Sequence, residues 1–101
     1  MWIRAAGLAE IPAGGSKIIV LKRMELAVFH TEEGYFCMDN FCPHAGGPLA
    51  EGYLQGCVVT CPWHNWSFDV RNGSLCHNAG VKVPVYACRV TEDAVEVDLP
   101  G

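Results

Sequence analysis

The sequence predicts an all-β fold, and three observations predict it. Short runs rich in β-branched and aromatic residues recur along the 101-residue chain. Gly, Pro and Asn punctuate those runs, and no amphipathic helical pattern of convincing length interrupts them. Residues 17–21 (KIIVL) and 26–30 (LAVFH) read as paired strands, with residues 22–25 as their connection. Residues 31–34 (TEEG) make a turn before residues 35–38, which completes a three-stranded meander. Residues 57–60 (CVVT) and 66–70 read as two further strands. The Arg71-Asn72-Gly73 turn after them contains the Asn-Gly pair favoured in tight hairpins. Residues 81–85, 87–90 and 95–99 read as closing strands, with Glu92 and Asp93 at a turn.

Gly and Pro are unevenly spread. Pro43, Gly46, Gly47, Pro48, Gly52 and Gly56 all fall within residues 41–56, a loop-rich insert between strands. No repeat, linker or second domain is evident. We therefore expect one domain over residues 1–101, an antiparallel β-sandwich or barrel-like base carrying a loop-rich lobe over about residues 40–80.

Composition narrows the possible functions. Half of the residues are apolar, which fits a compact globular domain. A formal charge of −4 argues against nucleic-acid binding, which calls for a basic patch. No apolar run approaches the roughly 20 residues that span a bilayer, and the N-terminal stretch lacks the apolar core of a signal peptide. The expectation is a soluble, cytoplasmic protein with no membrane or nucleic-acid partner. Six cysteines in so short a chain suggest a secreted disulfide scaffold, but without a signal peptide they point to metal ligation instead.

The central motif is Cys42-Pro43-His44, then 16 residues, then Cys61-Pro62-Trp63-His64. Each half offers one thiolate and one imidazole, unlike the common zinc finger, which pairs its cysteines in one half and its histidines in the other. The pattern matches an iron–sulfur cluster approached by two loops, with Cys42 and Cys61 on one iron and His44 and His64 on the other. Two ferric ions and two sulfides carry a net positive charge that two thiolates cancel, whereas four thiolates would leave the site negative. The mixed ligand set therefore accepts an electron more readily and raises the potential. Gly46 and Gly47 are expected to let backbone N–H groups point at sulfur. Trp63, Trp66 and Phe68 are expected to exclude water from one side. A zinc module remains the alternative, and colour would discriminate it, since zinc is colourless.

The segments CPHAGGPLAEG and CPWHNWSFDVRNG resemble the cluster-binding region of Rieske proteins. The resemblance implies the Rieske fold and one [2Fe–2S] cluster. It also implies an electron-transfer role, without turnover of a substrate by this chain. Two groups within the family fit. One is the soluble ferredoxin of ring-hydroxylating dioxygenase systems, whose partners are a reductase and a terminal oxygenase. The other is the small subunit of NAD(P)H nitrite reductase, partnered by the large subunit, toward which HNW and GGPL lean. Respiratory Rieske proteins add a disulfide at the positions of Gly47 and Trp63, and place hydroxyls where Trp66 and Phe68 stand here. Fewer donors to the cluster sulfurs imply a potential near the low end of the family's range. Of the other candidates, Cys37, Cys57, Cys76 and Cys88 read as ordinary thiols, His30 as a filler and His77 as an ordinary loop residue. The acidic side chains of Glu92, Asp93, Glu96 and Asp98 read as a solvated face.

Overall fold

The computed structural model describes residues 1–43, 46–63 and 65–101. Its strands run in chain order as β1 (Trp2–Gly7), β2 (Ser16–Leu21), β3 (Met24–Thr31), β4 (Gly34–Asp39), β5 (Tyr53–Gln55) and β6 (Val58–Thr60). They continue as β7 (Ser67–Asp69), β8 (Ser74–Leu75), β9 (Asn78–Lys82), β10 (Val85–Tyr86), β11 (Cys88–Val90) and β12 (Ala94–Asp98). Single 3-10 turns occur at Leu8–Glu10 and Leu49–Glu51. Among the described residues the strands form three sheets, ordered β1-β12-β11, β10-β4-β3-β2 and β5-β6-β7-β8-β9, and the pairings are antiparallel. The all-β expectation holds.

The β10-β4-β3-β2 sheet is the shared wall of the molecule. Successive side chains of a strand point to opposite faces, and in β3 both faces are apolar. Leu26 and Val28 join Ile19, Val95 and Val97 in one core, while Ala27 and Phe29 join Leu49, Val59 and Phe68 in the other. All four of these β3 residues are fully buried. A strand covered on both sides reads as a continuous apolar run rather than an alternating one, which is why LAVFH was legible as a strand. The β1-β12-β11 sheet covers one face, making the sandwich base, and the β5–β9 sheet forms a lobe over the other. The β2–β3 connection is tighter than residues 22–25. Only Lys22 and Arg23 lie between the strands, both at positive φ, 50° and 66°, as a two-residue type I′ turn requires.

Three expectations are corrected. The strand read over residues 81–85 is two strands, β9 in the lobe and β10 in the central sheet, broken at Val83 and Pro84. Proline has no N–H to give a ladder, but its carbonyl still accepts from the Asp39 N–H at 3.0 Å, so this is where the chain passes between sheets. The Asn72-Gly73 turn is wider than a two-residue hairpin. Phe68 pairs with Leu75, and of the two turn residues only Gly73 has positive φ; a Cβ there would also sit 2.0 Å from the Val83 carbonyl oxygen. The loop-rich insert also contains β5, and the N-terminal segment forms β1.

Candidate metal centre

Two loops rise from the lobe side of the central sheet, one beginning at Cys42 and the other at Cys61. Their backbones follow the same rule. The Cys42 N–H donates to the Gly47 carbonyl at 2.9 Å, and the Gly46 N–H donates back to the Cys42 carbonyl at 2.7 Å. In the second loop the Cys61 N–H donates to the Trp66 carbonyl at 2.7 Å, and the Asn65 N–H donates to the Cys61 carbonyl at 3.1 Å. Each loop thus closes on its own cysteine with the same offsets. Each also needs a left-handed residue at the same position, filled by Gly46 at φ 75° and Asn65 at φ 59°. Gly and Asn are the residues that adopt that conformation most easily.

The cysteines point inward. Cys42 is 1% exposed and Cys61 is fully buried, and both belong to the lobe core with Phe68 and Val59. Gly47 is where the two loops meet. A Cβ on it would lie 2.9 Å from the Cys61 sulfur and 3.1 Å from the Trp63 ring, so only glycine leaves that space open. The loop surfaces turn outward, with Pro43, Gly46, Pro62, Trp63 and Asn65 exposed. His44 and His64, the two imidazoles of the sequence motif, lie outside the described residues.

Asn40 holds the first loop, and the sequence carried no signal for it. Its side chain is fully buried; its amide donates to Glu25 Oε2 at 2.8 Å, and its carbonyl accepts from the Ala50 N–H at 2.7 Å. The Asn40 N–H donates to the Glu25 carbonyl at 3.0 Å. One side chain therefore ties β3 to both ends of the first loop. The second loop closes a hairpin instead. Thr60 pairs with Ser67 across β6 and β7, and their hydroxyls are 2.9 Å apart.

Two expectations about the flanking residues change. The Gly46 N–H is spent on the Cys42 carbonyl, so it is not aimed at sulfur; the residue is required for its φ. Trp63 is 60% exposed and lies over Gly47, so the water-excluding wall consists of fully buried Phe68 and half-buried Trp66. His30 is ordered by its partners. Its Nδ1 is 2.8 Å from the Ile11 carbonyl oxygen, and its ring stacks on Tyr35 at 4.1 Å. His77 is exposed in the turn between β8 and β9. Next to it, the Cys76 N–H donates to the Ser67 carbonyl at 2.8 Å, which sets this turn beside the end of the second loop. Glu92 and Asp93 are exposed, whereas Glu96 pairs with Arg89 at 2.7 Å and Asp98 with the N-terminal amine at 2.7 Å.

Two matched loops, each carrying a buried thiol and packed so closely at Gly47 that a methyl there would clash, suit a sulfur-ligated centre held by both. The chain belongs to the Rieske [2Fe–2S] domain family, whose model matches residues 1–87. It is an electron-carrying Rieske ferredoxin with one Rieske-type [2Fe–2S] cluster. Among its relatives is the ferredoxin component of the naphthalene 1,2-dioxygenase system of Pseudomonas aeruginosa, 32% identical over 97% of this chain and 95% of the relative. The fold is similar to a chain in the complex of reduced oxygenase and oxidized ferredoxin in carbazole 1,9a-dioxygenase. The TM-score there is 0.85 at 26% identity, over 95% of this chain and 91% of that one. It is also similar to a Mycobacterium tuberculosis protein assigned as an NADH-dependent nitrite reductase small subunit. In that case the TM-score is 0.87 at 25% identity, over 96% and 93% of the two chains.

Proposed function

We propose that this chain takes single electrons from a reductase and passes them to the terminal oxygenase of a ring-hydroxylating dioxygenase system. In this reading Cys42, His44, Cys61 and His64 hold the cluster, residues 1–101 act as one Rieske unit with its lobe over about residues 40–80, and the partners share the cytoplasm. The observation that carries the reading is the pair of matched loops, whose thiols face a dry core while Pro43, Pro62 and Trp63 face solvent. The bound cluster supplies a one-electron couple, with a potential in the range of about −150 to +300 mV for this ligand type. The residues around it do the rest. Phe68 and Val59 keep water from the sulfur side, and the exposed Pro43, Pro62 and Trp63 offer an apolar contact to a partner. Similarity to a dioxygenase ferredoxin component over nearly the whole chain supports the choice of oxygenase as acceptor. The chain carries no dinucleotide fingerprint, and we assign turnover to the partners rather than to it.

A second reading, the small subunit of a nitrite reductase, is favoured by the fold similarity to the mycobacterial protein. Electron delivery separates the two. Reduced protein should support turnover by a ring-hydroxylating terminal oxygenase; failure there, with stable co-purification with a sirohaem-containing large subunit, would select the second reading. The ligand set is tested by the EPR spectrum of the dithionite-reduced protein. A low average g, as mixed cysteine and histidine ligation produces, is expected. In His64→Cys, if the cluster assembles, replacing a neutral ligand by a thiolate should lower the potential. An unchanged or higher potential would remove His64 from the ligand set, and a colourless protein with stoichiometric zinc would remove the cluster altogether.

A further inference from the structure

Cys37 and Cys88 lie outside the cluster loops, and the topology brings them together. Cys37 stands on β4 opposite Tyr86 of β10, and Cys88 follows two residues later, after the chain leaves the central sheet at Ala87. The two thiols perturb each other across this junction, and the Cys88 thiol donates to the Tyr86 carbonyl at 4.0 Å. Both residues line one open cleft of about 370 Å³, shared with Tyr35, Arg71, Val85 and Tyr86. They belong to the base core, on the face of the central sheet opposite to the lobe core that holds Cys42 and Cys61. The other two thiols are placed differently. Cys57 donates toward Thr31 Oγ1 and Glu33 Oε2 at 3.6 and 3.4 Å, and Cys76 is exposed in its turn.

We propose that Cys37 and Cys88 are a redox-active dithiol that closes to a disulfide in the folded protein, with a small disulfide such as oxidised glutathione as the oxidant. Cys88 is the attacking thiol. It is half-buried beside the cleft, whereas Cys37 is 1% exposed. The neighbouring Cys37 holds the Cys88 thiol below its ordinary pKa, while Cys88 and then burial push Cys37 up. The Cys88 thiolate attacks one sulfur of oxidised glutathione, forming a mixed disulfide and releasing one glutathione thiolate. Cys37 then attacks the Cys88 sulfur, and its proton passes to the second glutathione as that leaves as the thiol. Two protein thiols are oxidised and one glutathione disulfide is reduced, so atoms and electrons balance.

The position of the pair gives the bond a consequence. Residues 38–87, between the two cysteines, carry both cluster loops and all of β5–β9. The bond would fasten the base at the two points where the chain leaves for the lobe and returns from it. Such a closure restricts the unfolded chain more, the longer the loop it spans.

The test uses cluster-loaded protein incubated with oxidised glutathione, quenched with an alkylating agent and mapped by peptide mass. The expected result is a Cys37–Cys88 linked peptide with the visible spectrum retained, and slower thermal loss of that spectrum than in the reduced form. In Cys37→Ala the reaction should stop at glutathione on Cys88. Wild-type protein that keeps both thiols, or that stops at a stable glutathione adduct on Cys88, would overturn the proposal. So would linkage of either thiol to Cys57 or Cys76.

Discussion

The loops that open at Cys42 and Cys61 share one backbone pattern but are supported by different means. The second is the closing loop of the β6–β7 hairpin, so the strand ladder brings its ends together at Thr60 and Ser67. The first follows β4 without a hairpin partner, and the buried side chain of Asn40 does what a ladder does for the other. The difference predicts unequal sensitivity. Asn40→Ala should cost about 3 kcal/mol, because it strands the part-buried Ala50 N–H and removes a hydrogen bond to the Glu25 carboxylate. Thr60→Val removes one hydroxyl pair while the ladder persists, and should cost only about 0.2–1 kcal/mol. Chemical unfolding of both variants checks this, and equal losses would erase the distinction between the two supports.

The position where the loops touch should be the next most sensitive. At Gly47 a methyl group meets the Cys61 sulfur and the Trp63 ring, so Gly47→Ala should cost about 1–3 kcal/mol as overpacking. Iron and sulfide content should fall with it. At the preceding Gly46 a Cβ has open space and only φ resists it. Gly46→Ala should therefore cost about 1 kcal/mol, the smaller end of the penalty for left-handed backbone. Gly46→Asn should cost less, since Asn65 already fills the equivalent place. Iron analysis and thermal melts of the three variants would show whether the two loops obey one rule. If Gly46→Ala lost more cluster than Gly47→Ala, close approach would not be what Gly47 provides.

How much of this was legible in the sequence follows from the range over which each feature is encoded. The cysteine–histidine spacing and the KIIVL and LAVFH runs are local patterns, so the cluster motif, the β2–β3 hairpin and the all-β class could be read from residues adjacent in the chain. β1 and β9 are built from WIRAAG and NAGVK, in which Ala, Gly and Asn dilute the few strand-forming residues. They are strands because β12 and β8 lie beside them. The strand reading that ran through Pro84 failed because the apolar pattern continued while the chain changed sheets. Asn40 left no trace, since its meaning lies in Glu25 and Ala50, which only folding brings to it. Gly46 and Gly47 look alike in the sequence, yet one is required for its φ and the other for its lack of a side chain.

The smallest effect concerns the strand beneath the first loop. Tyr86 donates its hydroxyl to Asp39 Oδ1 at 2.8 Å, one residue before Asn40. Burial, and then the Asp39 carboxylate, push the phenol up to about 12 from its ordinary value near 10. The folded state thus holds this proton more tightly than the unfolded state does. Its contribution to stability is complete below about pH 10 and is lost as pH rises toward about 12. Tyr86→Phe removes the titrating group and should flatten the fall in stability across that window, with little change at neutral pH beyond the lost hydrogen bond. Unfolding free energies of both proteins across the alkaline range supply the measurement. If the variant kept the full alkaline decline, other groups would carry it. If the decline vanished and the first loop also lost iron at neutral pH, the Tyr86–Asp39 contact would join Asn40 as a support of the Cys42 loop, one the hairpin of the Cys61 loop does without.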